Sequence, residues 1–525
     1  MESQAMIRED MIATLEAFDD VWDIIVIGGG ASGLGTAVDA SSRGYTCLLL
    51  EQSDFSKGTS SRSTKLIHGG VRYLQQGDVS MVLEALHERG LLRQNAPHLV
   101  SNQNFVVPSY EWWDGPFYRV GLKVYDMLAG KLGLGPSKSL TKKETLTYIP
   151  TVKTEGLRGG IIYQDGQFDD SRLALNLAQT VADLGGTPLN YMKVTGLLKS
   201  GGMINGVRVL DVEAEKEHRV YGRVVVNASG VFVDDILQMD DPDALNTVTP
   251  SQGVHLVLDK EFLPGETAIM VPHTDDGRVL FAVPWYDKVV VGTTDTPVER
   301  SSLEPRALDE EIDFILNNAA RYLEKTPKRA DVLSVFAGLR PLAATHDESR
   351  PTKEISRSHK ILVSLSGLVT LVGGKWTTYR KMGQDTIDKA VLVAGLDERP
   401  SMTAHLRIHG WLKNLDKGDF LRAYGSDSIA IRRLIERTPK LGEKLDEALP
   451  TVKAEVVWAT RYEMARTVED VLARRTRALF LDARAAIRMA PEVARIMAKE
   501  LRRRRRWQKV QIEEFTTLAE GYILK

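Results

Sequence analysis

Apolar positions follow two rhythms along this chain. Near the start, Asp23-Ile-Ile-Val-Ile27 and Leu48-Leu-Leu50 are short continuous apolar runs, the pattern of parallel strands buried on both faces. VVVNASG (224–230) reads as a further apolar strand ending in small residues. The longest apolar run, ILVSLSGLVTLV at 361–372, stays well short of the ~18 residues a spanning helix needs. Beyond residue 400 the rhythm is helical. Apolar positions recur at helical spacing in AEVVWATRYEMARTVEDVLARR (454–475), and Pro491 is expected in the first turn of a helix. AGKLGLGP (129–136) is rich in glycine but follows no strand and ends in Pro136, so it reads as a loop.

Composition narrows the class. With 525 residues, 43% apolar and 26% charged, the chain has the make-up of a soluble globular protein of two or three domains. Its single cysteine, Cys47, sits in the apolar run TCLLLE. That excludes intramolecular disulfides and any cysteine-ligated iron–sulfur or zinc site, and no metal is expected. Arg8, Glu9, Asp10 and Glu16 interrupt any apolar stretch at the start, so no signal peptide is expected there and the expected location is cytoplasmic. Net charge is −2, yet residues 401–525 hold 26 Lys and Arg against 17 Asp and Glu, while residues 1–400 hold 42 against 53. A basic C-terminal part on an acidic body points to an anionic surface, with Arg502 to Arg506 its densest cluster. The alternative is a solvated helix face.

Between the first two apolar runs, Gly28, Gly30 and Gly33 fit G-x-G-x-x-G, with a strand before, a helix after and Glu51 at the end of the second strand. Together these form a dinucleotide-binding fingerprint. The glycines permit a tight turn, close approach to a pyrophosphate and helix packing, and the helix N-terminus offers N–H groups to the phosphates. The acid is positioned for ribose hydroxyls. A few residues later comes TSSRSTKLIHGGVRYL (59–74), whose hydroxyls at Thr59, Ser60, Ser61, Ser63 and Thr64 are poor core material. That loop suits FAD, and no second nucleotide fingerprint is present for a nicotinamide partner.

On these residues the chain resembles the FAD-dependent glycerol-3-phosphate dehydrogenases of the D-amino-acid-oxidase-like flavoproteins. The matching motifs are VIGGGASGLG, TSSRSTKLIHGGVRYL, LLRQNAPHL (91–99), FDDSRL (168–173), VVVNASG, VPW…VVVGTTDT (283–296), FAGLRPL (336–342) and VGGKWTTYRK (372–381), with RYEMARTVEDVLARRTRALFLD (461–482) less distinctive. The resemblance implies an α/β fold, with a Rossmann-like FAD-binding domain from 1–95, 155–235 and 345–400. An antiparallel-sheet substrate domain would come from 96–154 and 236–344, and a helical domain from 401–525. Ala228, Ser229 and Gly230 are expected beneath the pyrophosphate. Gly373 and Gly374 are expected beside the flavin ring, with Thr377 and Thr378 starting a helix aimed at it. Asp170 and Arg172 are expected to organise their loop.

The implied reaction is oxidation of sn-glycerol 3-phosphate to dihydroxyacetone phosphate, with hydride moving from C2 to flavin N5 and electrons passing to membrane quinone. Arg72, Arg340, Arg357 and Lys375 are the implied phosphate ligands, since arginine binds phosphate bidentately and stays charged. His68, Arg72 and Tyr73 would face the substrate side of the flavin, with Gly69 and Gly70 letting backbone pass the ring. Neutral histidine suits the proton acceptor near pH 7. His255 is favoured over His68, with Arg340 and Lys375 completing the catalytic set. No cysteine-rich module and no EF-hand loop pattern of certain relatives is present, and a homodimer is an open expectation. The rival readings are an oxygen-using oxidase or an amino-acid oxidase of the same fold, or a flavin-binding regulatory protein without turnover.

Overall fold

A computed structural model describes residues 6–70, 79–111, 114–130, 133–272, 274–275, 277–344, 358–416 and 418–524. Two sheets organise it. The first has eight strands among the described residues, with Lys360–Val363, Val369–Val372, Lys216–Asn227, Trp22–Ile27, Cys47–Leu50 and Thr187–Leu189 in spatial order. Trp22–Ile27 pairs in parallel with both Lys216–Asn227 and Cys47–Leu50. Its residues Ile24, Ile25 and Val26 are fully buried, which is why the run carries no polar alternation. Helices Ala31–Ser42 and Tyr379–Ala394 pack together on this sheet through Gly35 and Gly383, where a Cβ on Gly383 would stand 2.4 Å from the Gly35 carbonyl oxygen. Cys47 is buried, and burial pushes its thiol up to about 12, so it is a core residue and no nucleophile.

The second sheet has ten strands among the described residues. It is antiparallel apart from the parallel pair Thr267–Val271 and Ser101–Ser109. Strand Gly159–Gln167, inside a segment expected for the FAD-binding domain, pairs in this sheet, as does the short strand Leu66–Ile67. Toward one end of this sheet Val248–Asp259 pairs with Val332–Ala343, bringing Ser251 opposite Arg340, Gly253 opposite Gly338 and His255 opposite Phe336. Alternation splits that strand's duties. Val254, Leu256 and Leu258 face a core shared with helix Asp309–Ala320, whereas Val257, with Phe336 and Trp285, joins the core of the C-terminal helices.

Those helices include Lys453–Tyr462, Ala483–Glu500 and Arg505–Glu520. Pro491 lies in the middle of Ala483–Glu500, not in a first turn. Its missing N–H removes one helical bond, but Met489, Ala490, Val493, Ala494 and Met497 are buried around it. That apolar face outweighs the lost bond. No helix among the described residues is long and apolar enough to cross a membrane.

Candidate active site and nucleotide cradle

The carboxyl ends of Trp22–Ile27 and Lys216–Asn227 meet at a switch point of strand order, where an open α/β sheet leaves a crevice. Gly28 turns there with φ +113°, and a Cβ on it would stand 2.6 Å from the Ala228 carbonyl oxygen. Gly33 is tighter, since its Cβ would lie 1.9 Å from the Gly28 oxygen. Gly33 therefore lets the helix start directly on the turn. Glu51 accepts hydrogen bonds from the Gly29 N–H at 2.7 Å and the Ser53 N–H at 2.8 Å, and burial raises its carboxyl above the usual range. The Ser60 hydroxyl accepts from Ala31 N–H at 2.9 Å and ties the hydroxyl loop to the helix start.

A cavity of about 400 Å³ runs along these groups. Gly28, Gly30, Glu51, Thr59 and Ser60 line it at one side; Ala228, Ser229 and Gly230 line another, and Gly373, Gly374 and Lys375 a third. Lys193 adds positive charge to the wall, as does Lys57, whose ammonium is also paired with Glu469 at 2.9 Å. An acid at the second strand, a helix N-terminus at the turn and lysines around it match a dinucleotide with an anionic pyrophosphate. The residues present therefore fit FAD.

Thr59, Pro341, Gly373, Gly374, Lys375 and Trp376 also border a second cavity of about 200 Å³, so the two share a wall. This smaller cavity is lined by His68, His255, Arg340, Lys375, Arg62 and Thr64, among others. Its floor is the Val248–Asp259 and Val332–Ala343 strand pair. A Cβ on Gly253 would meet Nη2 of Arg340 at 2.4 Å, and one on Gly338 would meet Cβ of Arg62 at 2.8 Å. This cross-strand glycine pair opens the trough in which both arginines lie. Arg340 donates to the carbonyls of Gln252 at 3.2 Å and Thr294 at 2.9 Å and to the Thr293 hydroxyl at 3.1 Å, with Asp295 at 3.4 Å.

His255 is buried, stacks on Phe336 at 5.0 Å and hydrogen-bonds the Thr64 hydroxyl through Nε2 at 2.9 Å. Burial first, then the charges of Lys65 and Arg340, hold its pKa well below the usual 6.5. The imidazole is thus neutral near pH 7, as a proton acceptor requires.

Several expected residues lie elsewhere. Ser61 borders neither cavity; its carbonyl accepts from Lys65 Nζ at 2.7 Å and from Arg477 at 2.8 Å. Ser63 borders the smaller cavity and donates its hydroxyl to Asp170 at 2.7 Å. Thr377 borders the smaller cavity, whereas Thr378 borders neither and donates to the Lys375 carbonyl at 3.3 Å. Gly69 is pressed against Leu86 and Tyr125, so its missing side chain serves packing. Asp170 and Arg172, expected to organise their loop and not to line the site, border neither cavity; Asp170 accepts from Ser63 and Lys65, and Arg172 makes a two-pronged ion pair with Glu463. Arg72, Tyr73 and Arg357 lie outside the described residues. Arg62 enters the site without having been singled out as a ligand, and Thr64, expected with the other loop hydroxyls around FAD, borders the smaller cavity and not the cradle. They stand in the hydroxyl loop itself, and only the fold of that loop distinguishes which members turn toward the trough.

Among known proteins, a family model described as FAD dependent oxidoreductase matches residues 23–380. One for the C-terminal domain of alpha-glycerophosphate oxidase matches 368–509. The mitochondrial glycerol-3-phosphate dehydrogenase of Mus musculus is 40% identical over 98% of this chain and 75% of its own length. The glycerol-3-phosphate dehydrogenase from Bacillus halodurans, solved in complex with FAD, is 30% identical with a TM-score of 0.80, covering 99% of this chain and 98% of that one. At 16% identity and a TM-score of 0.55, the L-alpha-glycerophosphate oxidase from Mycoplasma pneumoniae shares the fold over 73% of this chain and 98% of its own. With a nucleotide cradle opening onto a trough of arginine, lysine and neutral histidine, the chain belongs to the FAD-dependent glycerol-3-phosphate dehydrogenase family and takes FAD as its cofactor.

Proposed function

We propose that this enzyme oxidises sn-glycerol 3-phosphate to dihydroxyacetone phosphate. The observation that carries the reading is the shared wall of the two cavities, which sets a cationic trough directly beside the FAD cradle. When bound, FAD supplies the acceptor for hydride from substrate C2.

The rest is done by the chain's own side chains. Arg340 and Lys375 line the trough and supply fixed positive charge for a phosphate dianion. Arg62 lines it too, although its guanidinium is already paired with Glu304 at 2.5 Å. His255 takes the proton of the C2 hydroxyl. Its resting basicity is low, and a dianion entering beside it offsets the neighbouring cations and raises its proton affinity when the proton must move. His68 borders the same cavity and is read as orienting the hydroxyl. Thr59, Ser60 and the Gly373–Gly374 pair hold the cofactor, with Glu51 toward its ribose. Electrons leave to membrane quinone, in keeping with the basic C-terminal part.

The test is direct. The purified protein is checked for bound flavin by absorbance, then assayed for dye reduction with glycerol 3-phosphate, glycerol and D-amino acids. Glycerol 3-phosphate alone should support turnover. Reduction by D-amino acids instead would reassign the arginines to a carboxylate, and equal turnover of glycerol would remove the phosphate role.

A further inference from the structure

Lys65 is a fully buried lysine that borders neither cavity. Burying an ammonium is costly unless it is paired, so its surroundings call for an explanation. Its Nζ donates to Asp170 at 2.6 Å and to the Ser61 carbonyl at 2.7 Å. Three aromatic faces enclose it, Trp285 at 5.3 Å, Phe336 at 5.1 Å and Phe480 at 5.5 Å from ring centroid to nitrogen. Its backbone holds φ +64°, a region a non-glycine residue enters at a cost. The preceding residue is Thr64, whose hydroxyl meets Nε2 of His255. The ring of Phe336 contacts both partners, stacking on His255 with an interplanar angle of 17° while the Lys65 ammonium sits over it.

We propose that Lys65 is a positioning residue for His255: anchored on Asp170 and Ser61, it sets Thr64 against the imidazole and supplies a buried positive charge that keeps the histidine unprotonated before substrate enters. The proposal rests on the reading of His255 as proton acceptor, and its test separates the two. A solvent-facing lysine could not act this way, because water would screen its charge.

The charges around the pair are consistent with this role. Lys65 and Arg340 face His255, and Asp170, Asp169 and Arg477 face Lys65. Arg62, His68 and Lys375 border the same cavity as His255. Two cations, Lys65 and Arg477, share the Asp170 carboxylate. Burial penalises that carboxylate, yet the two cations hold its pKa below the usual range. Arg477 also pairs with Asp169 at 3.6 Å, and burial pulls the Lys65 ammonium down to about 7 against the opposing pull of Asp170, so Lys65 carries its charge beside His255 below that pH, the range in which the histidine is followed. Arg477 comes from the C-terminal helical part, which thereby fixes the charge beneath the site.

The experiment follows the His255 imidazole by NMR in holoenzyme carrying 13C-labelled histidine, with His255→Gln identifying its signal. In wild type the ring should stay neutral well below pH 6.5. In Lys65→Met and Lys65→Gln holoenzyme the His255 midpoint should rise by about one unit or more, the size expected on losing a nearby like charge. The glutamine variant keeps a donor for Ser61 and Asp170 while removing the charge. Lys65→Arg, which restores the charge, should return the midpoint toward wild type. A midpoint that tracks side-chain size and not charge would overturn the proposal, as would a wild-type His255 titrating near 6.5. Loss of flavin in one variant leaves the decision to the others and to wild type. Whether His255 is the proton acceptor is decided separately by the turnover of His255 variants, so either idea can fail alone.

Discussion

Gly253 and Arg340 fit together as absence and occupant: a Cβ at Gly253 would stand 2.4 Å from Nη2 and 2.8 Å from Cζ of Arg340. The guanidinium lies in the room that glycine leaves. Gly253→Ala should therefore push Arg340 aside while preserving the strand, raising KM for glycerol 3-phosphate. Arg340→Ala should raise it further, by about 10- to 100-fold, since a charge-assisted bond contributes about 1.5–3 kcal/mol. The added Cβ would also stand 2.7 Å from the Thr293 hydroxyl, so the double variant should be only slightly worse than Arg340→Ala, because most of the effect of the glycine runs through the arginine. Additive losses in the steady-state KM values would show that Gly253 serves something else.

His255→Ala should lower kcat by about 10²–10⁴ while flavin stays bound, since the residue borders the trough and not the nucleotide cradle. His68→Ala serves as the comparison. Should His255→Ala turn over near the wild-type rate while His68→Ala is dead, the proton acceptor is His68.

Gly28→Val tests the cradle. The position combines φ +113° with a Cβ only 2.6 Å from the Ala228 oxygen, so a branched side chain must part the two strand ends. The purified variant should be colourless, with a flavin-to-protein absorbance ratio near zero. Stoichiometric flavin would mean that the turn is not where the pyrophosphate sits.

Much of this was readable in the chain itself. The glycine turn, Glu51 and the hydroxyls of Thr59 and Ser60 lie within about thirty residues, and local spacing carries their geometry. The trough is different in kind. Gly253 and Gly338 look like ordinary strand glycines until the register sets them opposite each other, and the sequence offers no sign of register between strands so far apart. The same holds for Lys65, whose partners Asp170 and Arg477 arrive from distant parts of the chain. Strand Gly159–Gln167 could be expected as a strand, but which sheet it joins depends on Ser101–Ser109 beside it. Pro491 misled because proline marks helix starts by local rule, whereas the apolar face around it decides whether the helix continues.

His409 gives a pH-dependent prediction. It bridges Asp183 at 2.6 Å and Asp427 at 3.0 Å, joining helix Asp170–Asp183 to the C-terminal part. Burial opposes its charge, but the two carboxylates outweigh burial and push its pKa up to about 9. A raised pKa means the bridge contributes fully below the ordinary value of 6.5 and fades as pH climbs toward 9. The full contribution is on the order of 3 kcal/mol. Accordingly, the melting temperature of His409→Gln should fall furthest below wild type at pH 6 and converge with it above pH 9. A gap that widens with rising pH would contradict a charged bridge.

The last prediction concerns where the enzyme works. Arg502 to Arg506 are exposed, at the turn before and the first residues of helix Arg505–Glu520. Arginines at a helix N-terminus oppose the helix dipole, so their placement there is not explained by helix stability. Arg503 is ion-paired with Glu213, which leaves Arg502, Arg504, Arg505 and Arg506 as the set to change without disturbing that contact. Each basic residue near an anionic bilayer contributes about 1 kcal/mol, decaying over a Debye length of about 10 Å at 0.1 M salt. Replacing these four with Gln should leave dye-linked activity intact, because they lie outside both cavities. Co-sedimentation with anionic liposomes should fall by two orders of magnitude or more at low salt, and wild-type binding should itself weaken as salt rises. Neutral phosphatidylcholine liposomes should bind neither protein. If wild type ignores anionic liposomes at low salt, the cluster is a solvated surface, and the path to a membrane acceptor runs through another face of the molecule.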